Sequence, residues 1–207
     1  LNPLGYKPVG KLLKSLAIPA IIANLVNALY NVVDQIFIGQ GIGYLGNAAT
    51  NIAFPITTMC LAIGLTLGIG GASNFNLELG KGYPEKSKHT AGTAASTLII
   101  IGIILCITVR IFLEPLMIGF GATNKILEYS MEYTGITSYG IPFLLFSIGV
   151  NPLVRADGNA KYSMIAIVIG AILNTILDPL FMFVYNLGIV GAAWATVISQ
   201  IISALLL

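Results

Sequence analysis

Long apolar stretches separated by short polar breaks dominate the 207-residue chain, and their spacing predicts helices at about 12–39, 48–76, 90–109, 126–150, 162–185 and 189–207. Each stretch meets the roughly 20 apolar residues that a helix needs to cross the hydrocarbon core of a bilayer. No charge falls between Asp34 and Glu78. That interval is too long for one crossing, so the glycine-rich run Gly39-Gln40-Gly41-Ile42-Gly43-Tyr44-Leu45-Gly46-Asn47 is read as the hairpin between the first two spans. Pro19 lies near one end of the first span, and Pro55 interrupts the second. The expected fold class is all-α, a polytopic six-helix membrane bundle.

Composition sharpens this picture. The chain is 57% hydrophobic and only 9% charged, too little polar surface for a soluble domain of this length. Cys60 and Cys106 sit in separate apolar runs, which suggests packing residues in helices and not a disulfide framework. The first apolar run is too long for a signal-peptide core and lacks a small-residue cleavage site, so it is read as a retained helix. Basic residues set the orientation. With the amino terminus inside, the cytoplasmic segments hold eight of them, Lys7, Lys11, Lys14, Lys81, Lys86, Lys88, Arg155 and Lys161, and the outer segments hold only two, Arg110 and Lys125. A multi-pass protein of the cytoplasmic membrane with its amino terminus inside is the expectation.

Only two of the charged side chains, Asp34 and Asp178, lie deep inside apolar stretches, and an ionisable group there is a functional-site hypothesis by default. Asp34 falls about five residues from the outer end of span one, Asp178 about seven from the outer end of span five, and Thr196 about seven from the start of span six, so a rise of 1.5 Å per residue puts all three roughly 10 Å below the outer surface. Asn174 shares the Asp178 face one turn deeper. Tyr133 enters from the outer end of span four to the same level. Two carboxylates, an amide carbonyl and a hydroxyl are hard oxygen ligands suited to sodium and, in other geometries, to magnesium or calcium. The same group can hold a proton, because burial penalises a bare carboxylate and a second one adds repulsion, so the pair takes up charge as a coupled unit.

Plainer roles are open for each residue. The aspartates could form a hydrogen-bonded pair that only joins helices, Asn174 could bond across helices, Thr196 could bond its own preceding-turn carbonyl, and Tyr133 could belong to an interfacial aromatic belt. His89 sits beside the charged Glu85-Lys86-Ser87-Lys88 segment, where a solvated role is expected. Gly41-Ile42-Gly43-Tyr44-Leu45-Gly46 fits the letters of a dinucleotide fingerprint but follows a membrane helix and lacks the acid about twenty residues on. Gly64 and Gly68 have the spacing of a close helix contact. No catalytic serine or cysteine pairs with a plausible histidine, and neither a zinc-type histidine pair nor a basic groove for nucleic acid is present, so neither an enzyme nor a nucleic-acid partner is expected.

The runs Arg155-Ala156-Asp157-Gly158-Asn159-Ala160-Lys161, Asn174-Thr175-Ile176-Leu177-Asp178-Pro179, Gly188-Ile189-Val190-Gly191-Ala192-Ala193-Trp194-Ala195-Thr196 and Ser199-Gln200, with Ile18-Pro19-Ala20 and Tyr30-Asn31-Val32-Val33-Asp34 upstream, resemble the multidrug and toxic compound extrusion (MATE) transporters. The resemblance implies the amino-terminal lobe of a twelve-helix protein whose two six-helix lobes are related by a pseudo-twofold axis. It implies export of drugs or other organic cations in exchange for sodium or protons, with no further cofactor. On this resemblance Asp34, Asn174, Asp178 and Thr196 correspond to the coupling-ion site, as metal ligands if the ion is sodium. Tyr133 is an additional site residue, and Pro19 is the point where helix one can bend. The implied partners are the lipid bilayer, a small-molecule substrate and a carboxy-terminal lobe.

The chain stops inside the apolar run Ile201-Ile202-Ser203-Ala204-Leu205-Leu206-Leu207, so a fragment that binds the ion but does not transport alone is expected. A lipid-linked-precursor flippase of the same superfamily is the nearest alternative, and the scarcity of buried bases argues against it. An intramembrane aspartyl protease would need a tyrosine directly before one acid and a Gly-x-Gly before the other. Here Val33 precedes Asp34 and Leu177 precedes Asp178. A cation channel would need a filter loop, and none is recognisable.

Overall fold

The computed structural model describes residues 8–207. Lys7, one of the basic residues assigned to the inner side, lies outside the described residues. Helices α1 (Val9–Gly41), α2 (Tyr44–Gly80) and α3 (Pro84–Ile111) form the first three spans, and α4 (Leu113–Gly119) lies between spans three and four. Span four is α5 (Asn124–Thr137) and α6 (Ile141–Ala156), span five is α7 (Ala160–Pro179), and span six is α8 (Gly188–Leu205). Six of these segments are long and apolar enough to cross a membrane, with mean hydropathy between 1.3 and 2.3.

The first three helices run several residues past the apolar windows that predict them, because a helix satisfies its own backbone bonds and has no reason to stop where the bilayer does. The broad hairpin expected at 39–47 contracts to Ile42 and Gly43, where Gly43 takes φ 82°, a left-handed conformation that a side chain would strain. Likewise the Glu85–Lys88 segment is the first turn of α3, with Pro84 at its start, and His89 is exposed on that helix. Span four is broken by a tight 3-10 turn at Ser138–Gly140. Pro142 supplies the reason, since it offers no N–H to the Ser138 carbonyl and its ring crowds that turn.

In lipid, apolar burial gives little drive to helix association, so close van der Waals packing must hold the bundle together. Helix α6 is central, clasped by α2 and α3. A Cβ added to Gly68 would fall on the Gly149 backbone, one added to Gly64 would come within 2.7 Å of the Ile148 side chain, and one on Gly102 within 2.6 Å of Pro142 Cα. The Gly64/Gly68 spacing is therefore a true helix contact. Leu98, Leu145, Ile56 and Cys60 fill the layer between these helices. On the other side α7 packs between α1 and α8, and α5 bridges α2 and α8. This topology aims one face each of α1, α5, α7 and α8 at a common point near the α1 carboxy-terminal end.

Candidate functional site

Asp34 and Asp178 meet at that point. Asp178 is fully buried, Asn174 is 2% exposed and Asp34 8%. Their carboxyls approach within hydrogen-bonding reach of one another, a contact that two bare carboxylates would not hold without a shared proton or cation. Neither acid has a basic partner: among the described residues the salt bridges are Lys81 with Glu78 and Lys88 with Glu85, both at the other end of the bundle.

Each acid is held by its own helix. Asn174 Nδ2 donates to Asp178 Oδ1 at 3.2 Å, one turn along α7. Gln35 Nε2 donates to Asp34 Oδ2 at 3.3 Å, and Thr50 Oγ1 of α2 in turn donates to Gln35 Oε1 at 3.2 Å. The remaining oxygens, Asp34 Oδ1, Asp178 Oδ2 and Asn174 Oδ1, are buried with no hydrogen-bond partner. Buried polar atoms in native proteins are nearly always satisfied, so three orphaned acceptors at one place call for a donor or a positive ion.

Two hydroxyls complete the layer. The Tyr133 hydroxyl of α5 faces Thr196 of α8 and lies close enough to both carboxylates to feel their charge. Thr196 makes no hydrogen bond back to its own helix among the described residues, whereas Ser199 one turn on bonds back to the Ala195 carbonyl at 2.7 Å. All five residues named from the sequence as site residues, Asp34, Tyr133, Asn174, Asp178 and Thr196, thus gather in one layer. Pro19 does not belong to it. It is buried within α1, fifteen residues before Asp34, where it leaves the Ser15 carbonyl without its helical donor.

Sequence reasoning missed three participants. Tyr30 stands one turn before Asp34 and faces both acids; its i−4 spacing was the available signal. Gln35 and Thr50 carried none, since neighbours in sequence point to different helix faces and Thr50 comes from another helix.

Local backbone geometry supports the site. Pro179 directly after Asp178 removes a helical donor, and the chain widens into a π-helical turn at Leu180–Val184, an irregularity often found at functional positions. Gly191 lets α8 approach the backbone of that turn, because a Cβ there would come within 2.8 Å of the Phe181 carbonyl carbon. Beside the layer, a recess of about 550 Å³ opens between α1 and α2, lined by Asn31, Val32, Gln35, Ile36, Gly39, Gln40 and Asn47. Gln35 belongs to both, so the acid layer and the recess share a wall.

A family model described as MatE matches residues 19–180. The multidrug export protein MepA of Staphylococcus aureus (strain NCTC 8325 / PS 47) is 27% identical over 198 residues, an alignment covering 96% of this chain and 44% of the relative. MepA of Staphylococcus haemolyticus is 27% identical over 199 residues, with 94% and 43% covered. Among solved structures, an outward-facing multidrug resistance transporter superposes with a TM-score of 0.85 at 31% identity, covering 94% of this chain and 43% of that one. A MOP-superfamily transporter from Pyrococcus furiosus, described as having reversed binding-pocket polarity, gives the same TM-score, identity and coverage. The chain spans less than half the length of the relatives it matches.

Proposed function

Because this chain belongs to the MATE family of multidrug efflux transporters, which are not enzymes, we propose that it forms the amino-terminal lobe of a cation-coupled antiporter exporting drugs or other organic compounds. A second six-helix lobe would supply the other half, as the 43–44% coverage of the relatives suggests. The lobe would sit in the cytoplasmic membrane with its amino terminus inside, in keeping with the basic residues gathered at that end.

The observation that carries the proposal is the set of orphaned oxygens on Asp34, Asn174 and Asp178, where the two carboxyls lie close together. A sodium ion or proton entering from outside would relieve that repulsion. These hard, acid-rich donors fit sodium, with Thr196 and Tyr133 as neutral oxygens at its side. Binding would draw α1 and α7 together through the two acids. Because Gln35 links Asp34 to the wall of the neighbouring recess, occupancy of the layer and the shape of the recess would be coupled. The buried Pro19, with its freed carbonyl, offers α1 a place to bend. The ion shifts the transporter between its two access states only by its differential affinity for them, and each charge moving inward adds about 2.3 kcal/mol per 100 mV.

The test is drug efflux by the complete transporter in proteoliposomes, with sodium and pH gradients imposed separately. One gradient should drive efflux, and Asp34→Asn should abolish that drive while the protein folds. Gradient-driven efflux at the wild-type rate from the Asp34→Asn variant would overturn the assignment.

A further inference from the structure

Arg110, Tyr139 and Trp194, contributed by α3, the Ser138–Gly140 turn and α8, form a second cluster on the lobe. The Arg110 guanidinium lies 4.1 Å from the Tyr139 ring centroid. The Tyr139 and Trp194 rings are 6.4 Å apart and nearly parallel, at 11°. All three side chains are exposed, Tyr139 at 47% and Trp194 at 40%.

Arg110 is pinned there. Its Nη1 donates to the Gly135 carbonyl at 2.9 Å and to Ser138 Oγ at 3.3 Å, while Nε and Nη2 make no hydrogen bond among the described residues. No carboxylate lies within 4.0 Å of it among those residues. An arginine at the end of a membrane span ordinarily extends toward water; this one is bonded to the neighbouring span and keeps half its donor fork unspent. Around it Ile107 and Ile111 of α3, and Phe112 just beyond that helix, are all more than half exposed.

From this arrangement we infer that Arg110, held against Tyr139 with Trp194 beside that ring, binds the phosphodiester of an anionic membrane phospholipid. The chemistry of each part fits that occupant. A guanidinium fork matches two phosphate oxygens. Tyr139 covers one face of the guanidinium, and the isoleucine face of α3 accepts the acyl chains. The uncompensated cation favours a lipid whose phosphate charge is not cancelled by a choline or amine. The bound lipid would brace α3 against the break in span four, which is the hinge between α5 and α6.

The experiment uses the delipidated complete transporter, incubated with photoactivatable phosphatidylglycerol, the matching phosphatidylcholine, or phosphatidylglycerol plus an equal concentration of sodium phosphate. Cross-linked peptides are then mapped. Phosphatidylglycerol should label the 103–112 and 194-containing peptides roughly tenfold more than phosphatidylcholine, and Arg110→Gln should remove that preference, as expected for loss of a charge-assisted phosphate contact. Arg110→Lys should retain part of it, and Lys88→Gln at the opposite end should change nothing. Equal labelling by the two lipids in the wild-type protein overturns the inference without reference to any variant. Loss of labelling on adding inorganic phosphate also overturns it, by showing a free-anion site.

Discussion

Replacing Asp178 with asparagine removes one of the two charges that a cation would meet in the acid layer while keeping the side chain's shape. The carboxyls of Asp34 and Asp178 lie within hydrogen-bonding reach, and two unit charges about 4 Å apart interact by roughly 4 kcal/mol at an effective dielectric constant near 20. The attraction of a monovalent cation to one carboxylate is of the same size. The substituted amide oxygen restores part of it, so the expected net loss is about 2–4 kcal/mol, or roughly 30- to 1,000-fold in sodium affinity. The ion-free protein should respond in the opposite sense. At alkaline pH without sodium each single substitution relieves the same repulsion and raises stability, and the double variant with Asp34→Asn adds little more, a non-additivity of about 1–3 kcal/mol. Sodium-dependent thermal unfolding of the complete transporter in detergent measures both effects. A pH indicator in weakly buffered solution adds a third readout: sodium should displace about one proton from the wild-type pair and none from the double variant. Sodium affinity and proton release unchanged in Asp178→Asn, together with strictly additive stabilities, would refute the shared-cation reasoning.

Gly68→Ala should weaken the α2–α6 contact by about 1–3 kcal/mol, because the new methyl meets the Gly149 backbone, which cannot rotate aside; Gly70→Ala, with nothing within 4 Å, is the control. Denaturant unfolding in mixed micelles reads the difference, and equal stability of the two variants would disprove the packing account. Tyr133→Phe removes the hydroxyl that faces Thr196 and the acids and should weaken cation binding by about 1–2 kcal/mol with the fold intact. Thr196→Val should cost a similar amount and the pair no more than either alone; independent effects in a sodium titration would show that the two hydroxyls do not act together.

The fold class and the acid layer were legible because both depend on one-dimensional quantities. A bilayer tolerates so few charges that Asp34 and Asp178 stand out without any structure. Counting residues from the helix ends then gives depth, since every membrane helix rises by the same increment. Depth was enough to bring Tyr133 and Thr196 to that level, and the shared helix face brought in Asn174 one turn deeper.

Azimuth is different, because hydropathy says how deep a side chain lies and not which neighbour it faces. Tertiary packing alone brought Tyr30 toward the acids, carried the Gln35–Thr50 link across to α2, and set Thr196 against Tyr133. It also laid the Gly68 backbone on Gly149, a contact whose partner no spacing rule could name. The break at Ser138–Gly140 and the π-helical turn after Pro179 lie between these cases: the prolines were visible, but a proline in a membrane helix can kink, break or widen the chain. Which of these happens depends on which neighbouring groups are near enough to satisfy the released carbonyl.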